Sequence, residues 1–260
     1  MIFDSLTHVT PDGRWFHTAY DASETRLVGE LDEAQVDKAV VVALAGFIPN
    51  EFVLEVCQRH PDRLVPGASF NPVAYETERQ AVRELRAQLH KGPYQLLKLH
   101  PRLNRYDPLD SRCLAILGEL ASWEKPIPIW IDTLFYFQGG SLRKPIVDTI
   151  HDIVGGFPDL NFVILHAGGS WALQVVEAIR DCPNAFIDIS YTLYRYAGSS
   201  IWMDLRHLLN TFDCRMVFGS DFPEVSVGEA LDCFWRLTEG VPPDKCANVL
   251  GKNLCELLGG

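Results

Sequence analysis

The sequence predicts a single-domain α/β fold, a (β/α)8 barrel over residues 1–260. Three observations carry that prediction. Short apolar runs alternate with amphipathic stretches along the whole chain, as α/β folds require. Eight such pairs fill it at roughly thirty residues each, the spacing of a TIM barrel. Several runs also end in one ionisable residue and then a breaker. Met216-Val217-Phe218 stops at Gly219 and Pro223 with Asp221 alone in the gap. An ionised carboxylate is costly to bury unpartnered, so its place behind a core strand marks a site. The same plan recurs at Leu99-His100-Pro101, Ile131-Asp132 and Leu165-His166-Ala167-Gly168-Gly169. No Gly-x-Gly-x-x-Gly follows the first strand, which argues against an open doubly wound sheet.

Ile2 to His8 opens the series, with Asp4, Leu6 and His8 on one side because side chains alternate with period two. A long connection from Val9 to about Gly29 carries Trp15, Phe16 and Tyr20 and reads as a cover over the site or a loop on the rim. A helix is expected over Glu30 to Asp37. Lys38 to Leu44 is a continuous run rich in β-branched residues, typical of a strand buried on both faces. Asn50 to His60 follows as a helix closed by Pro61. Leu64 to Phe70 is the third strand, and Ala74 to Leu89 the clearest amphipathic helix. The fourth unit pairs Gln95 to His100 with Leu109 to Trp123. The fifth strand, Ile127 to Thr133, leads through a Gly139-Gly140 turn to a helix over Ser141 to Val154. Leu160 to His166 with Trp171 to Asp181, and Ala185 to Ser190 with Ser200 to Leu209, make units six and seven. Arg215 to Ser220 with Val227 to Leu237 makes the eighth, and Asn248 to Leu258 is a terminal helix.

A net charge of -11 leaves no broad basic face for nucleic acid. No apolar run approaches the length of a membrane span, and Asp4 directly behind Met1-Ile2-Phe3 is unlike a signal peptide, so the expected location is the cytoplasm. The seven cysteines are odd in number and lack a Cys-x-x-Cys pair, which agrees with reduced thiols.

His8, Lys98, His100, Asp132, His166 and Asp221 all fall at strand C-termini, the face where barrel enzymes place their chemistry. Lys98 and His100 share a face, so Lys98 points inward and needs an anion: Asp4, Asp188 or a substrate carboxylate. Arg102, Arg105 and Tyr191 lie just beyond strand ends and are candidate contacts to an anionic substrate.

Asp4-Ser5-Leu6-Thr7-His8, Lys98-Leu99-His100-Pro101, Ile129-Trp130-Ile131-Asp132-Thr133, His166-Ala167-Gly168-Gly169, Gly219-Ser220-Asp221-Phe222-Pro223 and the closing Asn253 resemble the amidohydrolase superfamily. The nearest branch is the one containing aminocarboxymuconate semialdehyde decarboxylase and pyrone dicarboxylate lactonase. The resemblance implies a barrel enzyme acting on a small organic acid, ester, lactone or amide, often as a homodimer. Two departures stand out. Leu6 replaces the first histidine of the family's His-x-His, and Asp132 replaces the histidine of its fifth strand.

Two readings of the mechanism follow. In one, His8, Asp132 and Asp221 hold a divalent metal such as zinc or manganese, and Asp221 takes the proton from its water. In the other no metal binds, and Asp221 alone activates water while His166 and Lys98 stabilise an oxyanion. Decarboxylation would use the same residues. A barrel that has lost catalysis and binds a ligand or partner is the reading from another class, with Leu6 in its favour.

Overall fold

Eight parallel strands follow one another in sequence order around the sheet: β1 (Phe3–Thr7), β2 (Lys38–Val42), β3 (Leu64–Phe70), β4 (Leu96–Leu99), β5 (Ile129–Asp132), β6 (Phe162–Leu165), β7 (Ala185–Asp188) and β8 (Met216–Val217). The computed structural model describes residues 1–134 and 144–259. Past the short β8 the sheet meets its own start, with Ser5 N donating to Phe218 O (2.9 Å), Asp221 N to Leu6 O (3.0 Å) and His8 N to Phe222 O (2.9 Å). The expected TIM barrel is therefore the observed fold.

Alternation along the strands divides the core into two layers. Val40 and Val42 of β2 point inward and pack with Leu6, Leu96, Trp130, Val163, Leu165 and Val217 inside the barrel. Ala39 and Val41 point outward into the larger core beneath the helices. Both faces of β2 are thus apolar, which is why it reads as an unbroken run. Fully burying each such side chain contributes about 1.5–3 kcal/mol.

The helices are α1 (Glu24–Glu33), α2 (Asn50–Arg59), α3 (Glu78–Leu89), α4 (Pro101–Asn104), α5 (Ser111–Ala121), α6 (Ile146–Gly156), α7 (Ala172–Ile179), α8 (Thr192–Arg195), α9 (Ser200–Thr211), α10 (Val227–Leu237), α11 (Pro243–Ala247) and α12 (Asn253–Leu257). Two starts differ from expectation, and caps explain both. Helix α1 begins well before Glu30 because Ser23 Oγ accepts from Arg26 N, and it buries Leu27 and Leu31. Helix α3 begins after Ala74, at a capping box between Thr77 and Gln80, while Pro72–Ala74 forms a separate 3-10 turn. The expected Gly139-Gly140 turn and the Ser141 helix start lie outside the described residues. The expected terminal helix divides into a π turn over Asn248–Lys252 and α12. There Asn253 Nδ2 donates to Asp213 O and Met216 O, each at 2.7 Å, and anchors the entry to β8.

Among the described residues, no helix is long and apolar enough to cross a membrane.

Candidate active site

Strands β6, β7 and β8 each give way to a non-glycine residue in the left-handed region: His166 (φ 61°), Tyr191 (φ 54°) and Asp221 (φ 63°). Such backbone costs about 1–3 kcal/mol per residue and persists only where the surroundings hold it. At His166 the hold is visible, since its N–H donates to Asp188 Oδ1 (3.1 Å) and its carbonyl accepts from Thr192 Oγ1 (2.6 Å). Ala167, Gly168 and Gly169 continue with positive φ and swing the chain away, which leaves the imidazole at the mouth.

A cavity of about 360 Å³ opens there. Its walls include His8, Lys98, His100, Arg102, Arg105, His166 and Asp221. Seven of the expected site residues are therefore together. Tyr191 does not line the cavity but sets its ring edge-on to His166, with centroids 5.8 Å apart. Asp132 lies behind the lining, fully buried. The long connection after β1 does cover the site. Trp15 stacks on His8 at 5.3 Å and donates from Nε1 to Glu224 Oε1 (3.0 Å), while Phe16 closes the wall beside it. Glu224 was not foreseen. Its only sequence signal is its position three residues after Asp221, in the turn where its N–H donates to Asp221 O (3.1 Å). A shallower groove of about 460 Å³ between α1 and α10 contains Glu30, Glu33 and Asp232 but none of the strand-end groups.

The hydrogen bonds assign most protons. His8 Nδ1 lies 2.6 Å from Val42 O, an obligate acceptor, so it carries the proton and Nε2 presents a lone pair. Lys98 Nζ meets that lone pair at 3.1 Å. Burial and the Lys98 charge hold the His8 pKa well below the usual histidine value. His100 Nδ1 accepts from Leu103 N (3.3 Å), leaving Nε2 to face Asp132 Oδ2 at 3.6 Å. Burial pushes the His100 pKa down to about 3, although Asp132 opposes it.

Asp132 is crowded with donors. Arg102 reaches both carboxylate oxygens at 3.4 Å, His166 Nε2 lies 3.4 Å from Oδ2, and Leu134 N donates to Oδ1 at 3.3 Å. Burial would raise its pKa, but His100, Arg102 and His166 hold it well below the usual carboxylate range. Asp221 differs. Its carboxylate accepts no hydrogen bond among the described residues, and burial raises its pKa to about 6 despite His166 and Lys98 nearby. For His166, burial works downward and the Asp221, Asp132 and Asp188 carboxylates outweigh it, so its pKa is raised. Lys98, almost wholly buried, has its pKa lowered by burial, with Asp221 and Asp132 opposing. Neither Asp4 nor Asp188 forms an ion pair with it among the described residues, and its ammonium meets His8 instead.

These contacts test the expected metal site. The lone pair of His8 Nε2, which would face an ion, faces an ammonium instead. A guanidinium spans Asp132. Leu6, in place of a third nitrogen donor, packs in the apolar barrel interior. Among the described residues, no group of three His, Cys, Asp or Glu side chains is arranged to hold a metal ion. Of the expected set, His8 is engaged by Lys98 and Asp132 by Arg102, which leaves Asp221 alone, and this donor arrangement does not fit a divalent ion.

The fold and this ring of strand-end groups define a barrel of the amidohydrolase type. The amidohydrolase family model matches residues 7–259, and the chain belongs to that family. No curated protein sequence matches. Among solved structures, an uncharacterised TIM-barrel protein from Bordetella bronchiseptica is similar over 99% of this chain and 98% of its own, at 20% identity and a TM-score of 0.80. A probable 2-pyrone-4,6-dicarboxylic acid hydrolase from Acinetobacter baumannii, with citric acid bound, is similar at 19% identity and a TM-score of 0.68 over 100% of this chain and 99% of its own. The 5-carboxyvanillate decarboxylase LigW from Sphingomonas paucimobilis is similar at 16% identity and a TM-score of 0.70, over 99% and 98%. Other structures of this fold contain bound zinc or manganese.

Proposed function

We propose that residues 1–260 form one hydrolytic domain that cleaves an ester or lactone bond in a small carboxylate-bearing molecule, with water activated by Asp221 and no metal ion. The observation that carries this reading is the Asp221 carboxylate: it faces the cavity, accepts no hydrogen bond among the described residues and has a pKa raised to about 6. A base with those properties is ionised near neutrality and still holds a proton well enough to take one from water.

In the reaction, the water oxygen bonds to the carbonyl carbon as Asp221 accepts one of its protons. The carbonyl electron pair moves onto oxygen, and the Lys98 ammonium beside His8 supplies the compensating charge in a water-poor setting. The tetrahedral adduct collapses, the bond to the leaving oxygen breaks, and the proton held by Asp221 passes to that oxygen. Arg105 lies at the rim and Arg102 one turn inside it, which supports recognition of a carboxylate on the substrate. Citric acid in the Acinetobacter baumannii protein agrees with a small polycarboxylate ligand. The seven free cysteines suit a reducing compartment, the cytoplasm.

The test is turnover of lactones and esters, with and without a carboxylate, before and after exhaustive chelation. The expected result is hydrolysis that prefers carboxylate-bearing substrates, is indifferent to chelator and is lost in Asp221→Asn. Activity restored only by added zinc or manganese would overturn the metal-free part. Release of carbon dioxide from aromatic acids in the same panel would replace hydrolysis by decarboxylation.

A further inference from the structure

Beneath the cavity, Asp188 on β7 gathers donors from three strands' ends. Its Oδ1 accepts from His166 N (3.1 Å) and Ser190 N (3.2 Å), and its Oδ2 from Ser5 Oγ (2.5 Å). Ser190 Oγ also lies in short contact with Oδ1, and 3.0 Å from His166 Nδ1. All of these groups are buried. The cluster closes over Gly219, where an added Cβ would stand 2.6 Å from both Asp188 Oδ2 and Ser5 Oγ. Only glycine allows the chain just past β8 to come so near.

With Asp188 as a carboxylate, the proton count in this cluster has one solution. Backbone N–H groups can only donate, so Asp188 Oδ1 is an acceptor. A hydroxyl has one proton, and the close Ser190 Oγ to Asp188 Oδ1 approach requires that proton between them, since two bare oxygens would repel. Ser190 Oγ then has only a lone pair to offer His166 Nδ1, so Nδ1 carries a hydrogen. We infer that Ser190, braced by Asp188, is a positioning residue that fixes the Nδ1 proton of His166, so that His166 meets substrate and exchanges protons through Nε2 alone.

This assignment extends the hydrolytic reading and adds to it. His166 Nε2 faces Asp132 Oδ2 at 3.4 Å, a long contact that leaves the nitrogen free to turn toward a reacting oxygen in the cavity. Without Ser190 the imidazole proton could move between nitrogens, or the ring could rotate, and the group presented to substrate would vary. Ser190 itself does not line the cavity. Its effect passes through His166.

The experiment is nitrogen-15 NMR of His166 in protein labelled at histidine, alongside steady-state kinetics, for wild type, Ser190→Ala, Ser190→Thr and Ser5→Ala. The spectra are taken at a pH above the raised His166 pKa, where the ring is neutral, and in wild type Nδ1 should carry its single proton. Ser190→Ala should shift His166 to a mixture of tautomers and lower kcat about 10-fold to 100-fold with KM little changed. Ser190→Thr, which restores a hydroxyl, should recover both. Ser5→Ala touches only the far oxygen of Asp188 and should leave the His166 spectrum as in wild type. A bare Nδ1 in wild type, or an unchanged spectrum in a folded Ser190→Ala variant, overturns the inference. The spectrum is read without turnover, so failure to find a hydrolysed substrate would count against the reaction and not against the proton assignment.

Discussion

Asp132 and Asp221 stand at the same mouth, each buried at the end of a strand, and the protein treats them in opposite ways. Asp132 is hemmed in by Arg102, His100, His166 and the Leu134 N–H, and its pKa is held far down. Asp221, behind β8, has charges near it but no donor on it among the described residues, and its pKa rises to about 6. A carboxylate whose lone pairs are occupied organises its neighbours. One whose lone pairs are free is available to a proton. Both are aspartates at strand ends, Asp132 behind the lining and Asp221 on it, and the partners make the difference.

Exchanging each for asparagine is the strongest way to break that comparison. Asp221→Asn should reduce kcat by roughly 10³-fold, in the range for loss of a general base, with a small change in unfolding free energy. Asp132→Asn should be the reverse in emphasis. Removing one member of a buried ion pair costs about 3–5 kcal/mol, and with the Arg102 side chain 34% exposed the loss should be on the order of 3 kcal/mol by denaturant titration. Equal loss of stability in both variants would erase the distinction.

The pH profile sharpens the same contrast at a smaller scale. A base works in its ionised form, so kcat/KM should rise with pH along an acid limb centred near 6 and level off above it, as Asp221 loses its proton. Asp132, held well below the carboxylate range, should contribute no limb there. An acid limb near 4 would assign the base to some other carboxylate.

Asp4 gives the smallest expected effect. Its Oδ1 accepts from Leu6 N and Ser220 N, each at 3.0 Å, while its buried Oδ2 has no partner among the described residues. Burial raises its pKa from 3.8 to about 7. The folded chain therefore binds this proton more tightly than the unfolded one. The associated stability is present at low pH and is lost as pH rises through about 7. The thermal midpoint of Asp4→Asn, relative to wild type, should shift in the variant's favour between about pH 5 and about pH 8. No shift would mean that the folded state ionises Asp4 freely.

The fold was largely legible because its signals are local. Eight apolar runs gave eight strands, and Leu96, Lys98 and His100 share an inward face as alternation requires. The first helix was misplaced because Gly29 reads as a breaker, while the Ser23 cap that starts α1 is a single hydroxyl. The site was legible in membership more than in role. His8, Lys98, His100, His166 and Asp221 do converge, but the sequence could not show that Lys98 would face His8 or that Arg102 would fold back over Asp132. Those contacts join strands thirty to ninety positions apart. Asp188 reads as a possible anion for Lys98, yet its oxygens accept from Ser5, Ser190 and the His166 N–H instead. The partners that give it a purpose, Ser5 and Ser190, lie 183 and 2 positions away. The left-handed turns at His166, Tyr191 and Asp221 had little signal, since none is a glycine and the enrichment of His and Asp in that region is too weak to single out a position.

Those three turns bear on how such a barrel can change. Because the bend is in the main chain, the bearing of whatever stands at 166, 191 or 221 is inherited from the scaffold rather than chosen by the residue. A new side chain placed at 166 or 221 would arrive already turned toward the cavity, and one at 191 toward the ring at 166. The reagent can be exchanged while the compass stays set.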